Sequence, residues 1–374
     1  MTELTARPAR PRRESPIGTV LVTGGAGFIG SHTSVELLEH GYDVVVVDDF
    51  SNSSRGALER IEQIAGRPLA GRYEFDLRDG AALAAVFERH DIDAVIHFAA
   101  KKAVGESVGI PLEYYDLNIG ATVRLLQTMV AHGVYNLVFS SSCSIYGAAP
   151  TSAAGASASA LLLTEDSPEH PTNPYARSKW MCEQILADAC RRYPELRAIA
   201  LRYFNPTGAH PSALLGEDPR GIPNNVMPYL TQLAVGRLKQ FQIFGDDYDT
   251  VDGTCVRDYI HVVDVAGGHR VALEHFADAT GLQRFNLGTG VGTTVLQFTE
   301  AFQAACGTRL PIRIAPRRPG DVDALIADPS RVAAAWGWRT TRDLADMCAD
   351  SWAFQQANPI GYEDRALEPA LTTG

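Results

Sequence analysis

The chain has 374 residues, a formal net charge of −11 and a hydrophobic fraction of 45%. This length suits one large domain or two modest ones, and the composition is typical of a folded globular protein. No apolar run approaches the ~20 residues of a membrane helix and no long basic run is present, so we expect neither a membrane nor a nucleic acid as a partner.

The two ends of the chain are predicted to be tails. Residues 1–16 are rich in proline and arginine and lack the apolar stretch of a secretory signal, so we expect a disordered segment there. Residues 363–374 are predicted to form a second tail.

The six cysteines include no CxxC pair and the ten histidines no ligand-spaced cluster. We therefore predict reduced thiols, a cytoplasmic protein and no metal site.

Short apolar runs alternate with helical patterns from residue 19 onward. Strands are predicted at residues 19–23, 43–47, 72–75, 94–98, 137–140 and 198–203, with helical patterns between them, as at 31–40 and 81–90. Most of these strands are rich in Val, Ile and Leu without polar alternation, as expected when helices cover both faces of a parallel sheet. The series predicts an α/β fold with a Rossmann-type, doubly wound parallel sheet.

The alternation loosens after residue 205, which predicts a division of the chain. Residues 17–205 would form the first domain, and residues 206–362 a smaller C-terminal α/β domain. Residues 258–275 and 285–290 resemble a helix and a strand, so residues 259–290 are expected to rejoin the first sheet. The small residues of 148–161 predict a flexible surface insertion.

Glycines follow the first predicted strand in the segment TGGAGFIGSH. Gly24, Gly27 and Gly30 would allow a tight turn, a close approach of the backbone to a pyrophosphate, and close packing of helix on strand. The helix that starts there directs its N–H groups and positive dipole end at phosphate. The spacing GxxGxxG alone would indicate only a turn, but between a strand and a helix it predicts a dinucleotide site.

The second strand ends in Asp48, 18 residues after Gly30. A carboxylate there can accept hydrogen bonds from both ribose hydroxyls of NAD and repels the additional phosphate of NADP. No arginine follows immediately. We therefore predict NAD as the cofactor, against the alternative that Asp48 only caps a loop.

Tyr175 and Lys179 are four residues apart in PYARSKW, on one face of a predicted helix. An ammonium beside a phenol favours the phenolate, so we expect a lowered pKa and a tyrosine that can act as a base. In isolation this spacing more often marks two solvent-facing residues. Here the glycine loop and Asp48 precede the pair in the chain, and this order of motifs favours a catalytic pair over two solvent-facing residues.

Ser142 follows the fifth predicted strand in FSSSCSIYG. The carboxyl edge of an open α/β sheet is where ligands bind. Ser142 is therefore expected to hydrogen-bond the same substrate hydroxyl as Tyr175. For Ser140 and Ser141 we expect only local backbone bonds at a strand end.

These motifs occur together with further segments of one pattern. The segments are TGGAGFIGSH, HFAAKKAVGES, YYDLNIGAT, FSSSCSIYG, PYARSK, LRYFNPTGAH, GIPNNVMPY, GTCVRDYIHV, FNLGTG and APRRPGD. By them the chain resembles the extended short-chain dehydrogenase/reductases, and within these the UDP-galactose 4-epimerases, from about residue 19 to about residue 362. The two domains would then bind NAD and the UDP-sugar respectively.

The resemblance implies an activity. Tyr175 would take a proton from the sugar's 4-hydroxyl while hydride passes to the nicotinamide, the 4-keto sugar would turn over, and the hydride would return to its opposite face. Ser142 would assist the proton, and Lys179 would hold the nicotinamide ribose. The family's usual homodimer would form through the helices that start near Tyr114 and Tyr175.

The resemblance also implies binding residues. Beyond the glycines, Asp48, Tyr175 and Lys179, the cofactor would be held by Phe28, Ile29, Asp49, Asn52, Ser53, Asp76, Leu77, Phe98, Ala99, Ala100, Lys102, Asn118 and Tyr203. The substrate would be held by Lys102, Ser142, Tyr175, Asn205, Asn225, Val226, Gln242, Ile243, Phe244, Arg257, Arg318, Asp321 and Leu325.

Departures and alternatives remain. Lys101 stands where the family often has an apolar residue, and Leu325 takes a position where large residues reject an N-acetylated sugar and small ones admit it. This predicts weak activity on UDP-N-acetylhexosamines. Alternatives are a 4,6-dehydratase or decarboxylase of the same family, although no acid is evident beside Ser142, and a catalytically silent NAD-binding regulator.

Overall fold

A computed structural model describes residues 17–147, 162–318 and 321–362. The predicted tails, residues 1–16 and 363–374, and the predicted insertion at 148–161 lie outside the described residues. Among the helices that the structure describes, none is long and apolar enough to cross a bilayer.

The strands and helices alternate through the first two hundred residues. The strands are β1 (Thr19–Thr23), β2 (Asp43–Asp48), β3 (Gly71–Glu74), β4 (Ala94–His97), β5 (Asn136–Ser142), β6 (Leu162–Leu163), β7 (Arg197–Tyr203), β8 (Asn205–Thr207), β9 (Phe241–Phe244), β10 (Val256–His261), β11 (Leu282–Leu287), β12 (Gly292–Thr294), β13 (Ile312–Ala315) and β14 (Ala324–Ala327). The helices are α1 (Phe28–Glu39), α2 (Arg55–Ala65), α3 (Gly80–Arg89), α4 (Val104–Gly109), α5 (Pro111–Ala131), α6 (Pro174–Arg192), α7 (Val226–Ala234), α8 (Val262–Glu274), α9 (Val295–Cys306), α10 (Ser330–Trp336) and α11 (Leu344–Ala357).

The first sheet is parallel and, within the described residues, has the order β3-β2-β1-β4-β5-β7-β11. The order reverses between β1 and β4, and in open α/β sheets such a reversal opens a crevice at the carboxyl ends of the strands. The predicted Rossmann-type fold class is therefore confirmed.

The apolar strands are buried on both faces because helices cover both. Val20 and Val22 pack into a cluster with residues of α1 and α8, whereas Leu21 packs into a second cluster with residues of α3, α5 and α6. Alternate residues of a strand point to opposite faces. This explains why β1 shows no polar alternation in its sequence.

A second layer follows β7. Strands β12, β10, β14 and β6 form a sheet, β8 pairs with β10, and β13 pairs with β9. Helices α7, α9 and α11 close a separate core around Phe298 and Phe302. The chain also returns to the first sheet, where β11 pairs in parallel with β7.

The prediction of a helix over 258–275 was wrong at its start. Asp258 lies within β10, and α8 begins only at Val262. The Asp258 carboxylate accepts the amide hydrogens of Thr289, Gly290 and Ala327, so this polar residue is satisfied by distant parts of the chain. Because the amides of Thr289 and Gly290 donate to Asp258, they do not pair with a neighbouring strand, and β11 ends at Leu287 and not at residue 290 as predicted.

Candidate functional site

The crevice at the carboxyl ends of the strands collects the predicted catalytic and cofactor residues. Asp48, Ser142 and Tyr203 end β2, β5 and β7, and the glycine loop follows β1. The loop after β4 carries Phe98, Ala99, Ala100 and Lys102. The sequence thus places these side chains at one edge of the sheet, where parallel strands all end.

The glycine loop packs so closely on neighbouring backbone that side chains at two of its positions would clash. Gly24 has φ +69°, and a Cβ there would lie 2.7 Å from the amide nitrogen of Ala99. A Cβ on Gly30 would lie 2.2 Å from the carbonyl oxygen of Gly24. Gly27 caps α1 without a side-chain bond, and the first turn, which includes Phe28 and Ile29, has no acidic residue. Free amides at a helix start suit a pyrophosphate.

Asp48 is buried beside this loop. Its carboxylate accepts hydrogen bonds from the amides of Ala26 and Phe50, both at 2.9 Å, and from Ser53 Oγ at 2.6 Å. Burial raises the pKa of Asp48, and these bonds oppose the rise. A carboxylate has about four lone-pair directions, so one remains for a ribose hydroxyl. Ser53 therefore acts through Asp48 in this structure.

The residues predicted around the adenine lie after β2 and β3. Asp49 and Asn52 are exposed; Asp49 accepts from Ser51, and Asn52 accepts the Arg220 amide hydrogen at 3.3 Å. Leu77 is buried in the core behind the sheet.

Asp76 is held by its neighbour Arg78. The Nε of Arg78 lies 3.0 Å from both carboxylate oxygens of Asp76. The Arg78 guanidinium lowers the pKa of Asp76. Arg78 also reaches Asp116 on α5, so this surface pairing fixes the turn after β3.

Asn118 on α5 fixes the loop that carries Lys102. Its Oδ1 accepts the Lys101 amide hydrogen at 2.8 Å, and its Nδ2 donates to the Lys101 carbonyl at 3.1 Å and to Ser178 Oγ at 2.9 Å. Both amide hydrogens of Asn118 are thus used. In this structure Asn118 orients the loop and ties it to α6.

Helix α6 presents Tyr175 and Lys179 to the end of β5. Asn173 caps the helix, since its Oδ1 accepts the Ala176 amide hydrogen at 2.9 Å, and proline occupies the first position. Lys179 is buried, and its Nζ donates to the Ser140 carbonyl oxygen at 2.7 Å. Tyr175 is half-buried and lies close enough to Ser142 for that hydroxyl to act on its pKa. The predicted catalytic residues therefore meet.

The pKa of Tyr175 differs from the expectation. Burial raises it to about 12, and the Ser142 hydroxyl opposes this rise. Lys179 does not offset the burial, because burial lowers the pKa of that lysine to about 8 and its ammonium faces the Ser140 carbonyl. Spacing on a helix indicated the right pair but could not show where the ammonium points.

Ser140 and Ser141 make no local backbone bonds with their side chains, so that expectation was wrong. Ser140 Oγ hydrogen-bonds Tyr203 OH, and Ser141 Oγ donates to Glu183. Alternate residues of β5 thus face opposite sides of the sheet. Ser140 and Ser142 fall on the side of the crevice, and Ser141 contacts the helix behind it.

Sequence reasoning missed Glu183, which lies fully buried on α6, four residues after Lys179. It pairs with buried Arg202 of β7 and with Arg284 of β11. Burial alone would raise the pKa of Glu183, but these arginines and Ser141 hold it below its ordinary value. Breaking such a pair is typically strongly destabilising. The network joins α6 to β5, β7 and β11. Glu183 could have been found in the sequence as an acidic residue on the predicted buried face of this helix.

The second layer brings several predicted substrate residues to the same edge. Asn205 lies on β8 and its Oδ1 is buried without a partner among the described residues. Asn225 occupies the cap position of α7 but makes no capping bond, and the first turn, which starts at Val226, has no acidic residue. These amides suit an anionic group.

Lys102 and Asn225 share one partner, Glu217, which pattern analysis did not indicate. Both donate to Oε1 of Glu217, each at 2.8 Å. Glu217 lies in a Gly- and Pro-containing loop without periodicity, which hid it from pattern analysis.

The predicted arginines lie on β10 and after β13. Arg257 donates to the carbonyl oxygens of Val256 and Val322 and lies 3.6 Å from Asp321. Arg318 is exposed and stacks over the Phe244 ring, 3.9 Å from its centroid. Within the part of the chain that the structure describes, no ion-pair partner of Arg318 occurs, and a guanidinium fork beside a ring suits a diphosphate or a base.

The remaining predicted positions differ in accessibility. Along β9, Gln242 is exposed, but the Ile243 side chain packs into the core and could meet a ligand only through its backbone. Leu325 pairs with Arg257 in register between β14 and β10. It is half-buried against a cluster that includes Cys143, next to Ser142.

A cavity of about 430 Å³ lies elsewhere, at the edge strand β11. Its charged lining residues include Arg284 and Arg331, which already pair with Glu183 and Glu165. The crevice that contains Ser142 and Tyr175 is therefore the better candidate site.

Comparisons with known proteins show the family to which the chain belongs. A family profile described as the NAD dependent epimerase/dehydratase family matches residues 20–288. The UDP-glucose 4-epimerase of Bacillus subtilis (strain 168) is 52% identical over 344 residues, which cover 92% of this chain and 98% of that protein. The UDP-glucose 4-epimerase of Homo sapiens is 48% identical over 357 residues, covering 93% and 99% respectively.

Solved structures show the same similarity. A UDP-glucose 4-epimerase from Bifidobacterium longum, in complex with NAD+ and UDP, has a TM-score of 0.87 and 51% identity, covering 92% of this chain and 100% of that one. A UDP-Glc/GlcNAc 4-epimerase from Campylobacter jejuni has a TM-score of 0.76 and 36% identity, covering 91% and 99%.

Proposed function

Because the chain belongs to the NAD-dependent epimerase/dehydratase family, we propose that it is an isomerase that interconverts UDP-glucose and UDP-galactose. The observation that carries this proposal is the meeting of Ser142, Tyr175 and Lys179 at the carboxyl ends of the strands, beside the glycine loop. Relatives that are about half identical over nine-tenths of the chain are UDP-glucose 4-epimerases.

The cofactor is NAD. The start of α1 has neither an acidic residue nor a side-chain cap, which suits a pyrophosphate, and Asp48 keeps a free acceptor direction for the adenosine ribose. Bound there, NAD would supply the hydride-transfer chemistry that oxidation and re-reduction at C4 of the sugar require. We propose that the residues around the adenine and the loop from Phe98 to Lys102 complete this site.

The chain's own residues manage the proton. Tyr175 takes the proton of the sugar's 4-hydroxyl during oxidation and returns it during reduction. Ser142, close to Tyr175, supplies a second hydroxyl through which that proton can pass. A phenol with a pKa of about 12 needs added positive charge to ionise near neutrality. The Lys179 ammonium faces the Ser140 carbonyl and does not supply this charge in the structure, so we propose that bound NAD would supply it through its cationic nicotinamide.

The UDP moiety would lie along the second layer. The free amides at the start of α7 and the guanidinium groups of Arg257 and Arg318 face this side. We propose that they hold the diphosphate and that Asp321 accepts a hydrogen bond from the uridine ribose. Asn205 would supply its unpartnered oxygen to the same ligand.

A 4,6-dehydratase needs an additional acid to eliminate water. The residues after Ser142 are Cys143 and Ser144, and burial raises the pKa of the Cys143 thiol to about 12. Neither group would donate a proton readily at neutral pH. The comparisons likewise favour the epimerase over a dehydratase or a silent regulator.

The test is to incubate the purified protein with UDP-galactose, without any added hydride acceptor, and to measure UDP-glucose. We expect an approach to equilibrium from either sugar, because a bound cofactor is regenerated in each turnover. Release of water with a 4-keto-6-deoxy product would indicate a dehydratase. No conversion by protein that retains NAD would support a silent regulator.

We further propose a cytoplasmic homodimer that pairs through α5 and α6. Val108 lies in α4, just before α5, and is 65% exposed; Leu112 lies in the first turn of α5 and is 76% exposed. Such exposure is unusual for large apolar side chains unless a partner covers them. All six cysteines are free thiols, as expected in a reducing compartment. Sedimentation of the wild-type protein and of Leu112→Asp checks the dimer; a wild-type monomer would refute it.

A further inference from the structure

Glu217 links the two parts of the proposed substrate site. Its Oε1 accepts hydrogen bonds from Lys102 Nζ and from Asn225 Nδ2, each at 2.8 Å. Lys102 belongs to the loop after β4, and Asn225 precedes α7 in the second layer. The Glu217 side chain is only 7% exposed, whereas the Lys102 side chain is 47% exposed and Asn225 is exposed, so a buried carboxylate holds two donors that solvent and ligands can reach.

The geometry leaves both donors able to serve a ligand as well. A lysine ammonium has three N–H groups and an asparagine amide has two. Glu217 takes one from each. No further partner of the Lys102 ammonium or the Asn225 amide group occurs among the described residues. Glu217 can therefore orient both groups without being displaced by a substrate.

Two features indicate that this arrangement serves a ligand and not only the fold. Asn225 sits at the cap position of α7, where asparagine normally stabilises a helix by bonding its first amides, yet its side chain turns to Glu217 instead. In addition, Oε2 of Glu217 is buried without a partner among the described residues. A buried carboxylate oxygen without a donor is unfavourable. A hydroxyl group of a bound sugar would satisfy it.

We propose that Glu217 is a positioning residue of the UDP-sugar site, which fixes Lys102 against Asn225 and presents Oε2 to a hydroxyl donor of the hexose. This inference rests on the proposed epimerase function. Ligands that carry a hexose hydroxyl should benefit from Glu217 more than UDP alone, because only the former can donate to Oε2.

The test compares Glu217→Gln with the wild-type protein and with Glu274→Gln. Glu274 is a matched control, because its carboxylate also pairs with one cation, Arg270, but on the surface of α8. For each protein we would measure the melting temperature, calorimetric affinity for UDP and for UDP-glucose, and kcat and KM for UDP-galactose. Glu217→Asp keeps the charge with a shorter reach and replaces Glu217→Gln if the latter does not fold.

We expect Glu217→Gln to lower kcat/KM at least about tenfold, which corresponds to about 1.4 kcal/mol, and to weaken UDP-glucose more than UDP. In a Lys102→Met background the same substitution should have a smaller effect, because Glu217 acts partly through Lys102. Glu274→Gln should match the wild type in all kinetic measures.

Three results would overturn the inference while leaving the proposed function in place. The first is a kcat/KM for Glu217→Gln within a factor of two of the wild type. The second is equal weakening of UDP and UDP-glucose, and the third is tighter binding of UDP, which would make Glu217 a competitor of the diphosphate. By contrast, a wild-type protein that neither binds UDP nor converts UDP-galactose would refute the proposed function itself.

Discussion

Lys179 of α6 donates a hydrogen bond to the carbonyl oxygen of Ser140, on β5, at a distance of 2.7 Å. The bond fixes α6 against the strand that ends in Ser142. It also places an ammonium in a buried position, 5.0 Å from the centre of the Phe139 ring. Burial lowers the pKa of Lys179 to about 8, well below the usual value of a lysine.

This lowered pKa has a consequence for stability. Between pH ~8 and the ordinary lysine value near ~10.4, the unfolded chain binds the proton that the folded protein has released, so this group makes stability rise with pH. We expect Lys179→Met to abolish that rise and to lower epimerase activity strongly. Urea unfolding of both proteins from pH 7 to 10 measures the difference. The exposed Lys239 gives the control Lys239→Met; an equal difference there would contradict the interpretation.

Replacing Tyr175 tests the proposed base. Tyr175→Phe removes only the hydroxyl, so we expect an unchanged fold and NAD content but a turnover lower by ~10²–10⁴-fold, the usual contribution of a general base. Tyr193→Phe, at the end of the same helix, is the control. Activity of Tyr175→Phe within a factor of two of the wild type would refute the assignment.

The pH profile gives an independent check of the same residue. Burial raises the pKa of Tyr175 to about 12 in the ligand-free protein. The tyrosine should therefore remain a phenol at neutral pH until ligands bind. We expect no tyrosinate absorbance from it below pH ~10 in protein stripped of NAD, measured as a difference between the wild type and Tyr175→Phe. A clear difference signal at pH 7 to 8 would contradict this expectation.

Asp48 should select and retain NAD. We expect mass spectrometry of the cofactor released by denaturation to show NAD and not NADP, and Asp48→Ala to retain less of it. The substitution removes the ribose acceptor and also frees the amide of Ala26 in the glycine loop. Asp43→Ala, on the exposed start of the same strand, is the control. NADP as the main species would show that the carboxylate does not discriminate.

Leu325 tests substrate range. It lies half-buried beside Arg257 and packs against the cluster of Cys143, so a tyrosine there would extend toward the crevice. We expect the wild type to prefer UDP-galactose with weak activity on UDP-N-acetylglucosamine, and Leu325→Tyr to reduce the latter selectively, by ~1–3 kcal/mol at most. An unchanged ratio of the two activities would mean that Leu325 only packs against the wall.

The sequence predicted those parts of the fold whose causes are local. Strand β1 and the glycine loop were predictable because apolar runs and glycine spacing carry their own signal. Strand β10 was not, since Asp258 appears unsuited to a buried strand until the amides of Thr289 and Ala327 reach it from far along the chain. Helix α8 was consequently predicted to start too early.

The same distinction applies to the site. Tyr175, Lys179 and Ser142 follow from spacing and motif order, and the structure brings them together. The partners of Ser141 and Lys102 could not be predicted, because Glu183 and Glu217 meet them only after the sheet and the second layer are assembled.

The order of the strands in the first sheet also determines which truncated fragments of the protein can fold. Strand β11 reaches β7 only after about eighty intervening residues, which form β8, α7, β9, β10 and α8. A gene fragment that stops after β7 would leave that strand as an open edge, with unpaired backbone groups ready to join another chain. During synthesis the ribosome must likewise release residue 287 before the sheet is complete. We therefore expect fragments that end near residue 205 to aggregate when expressed, so the cofactor-binding half cannot be obtained by simple truncation.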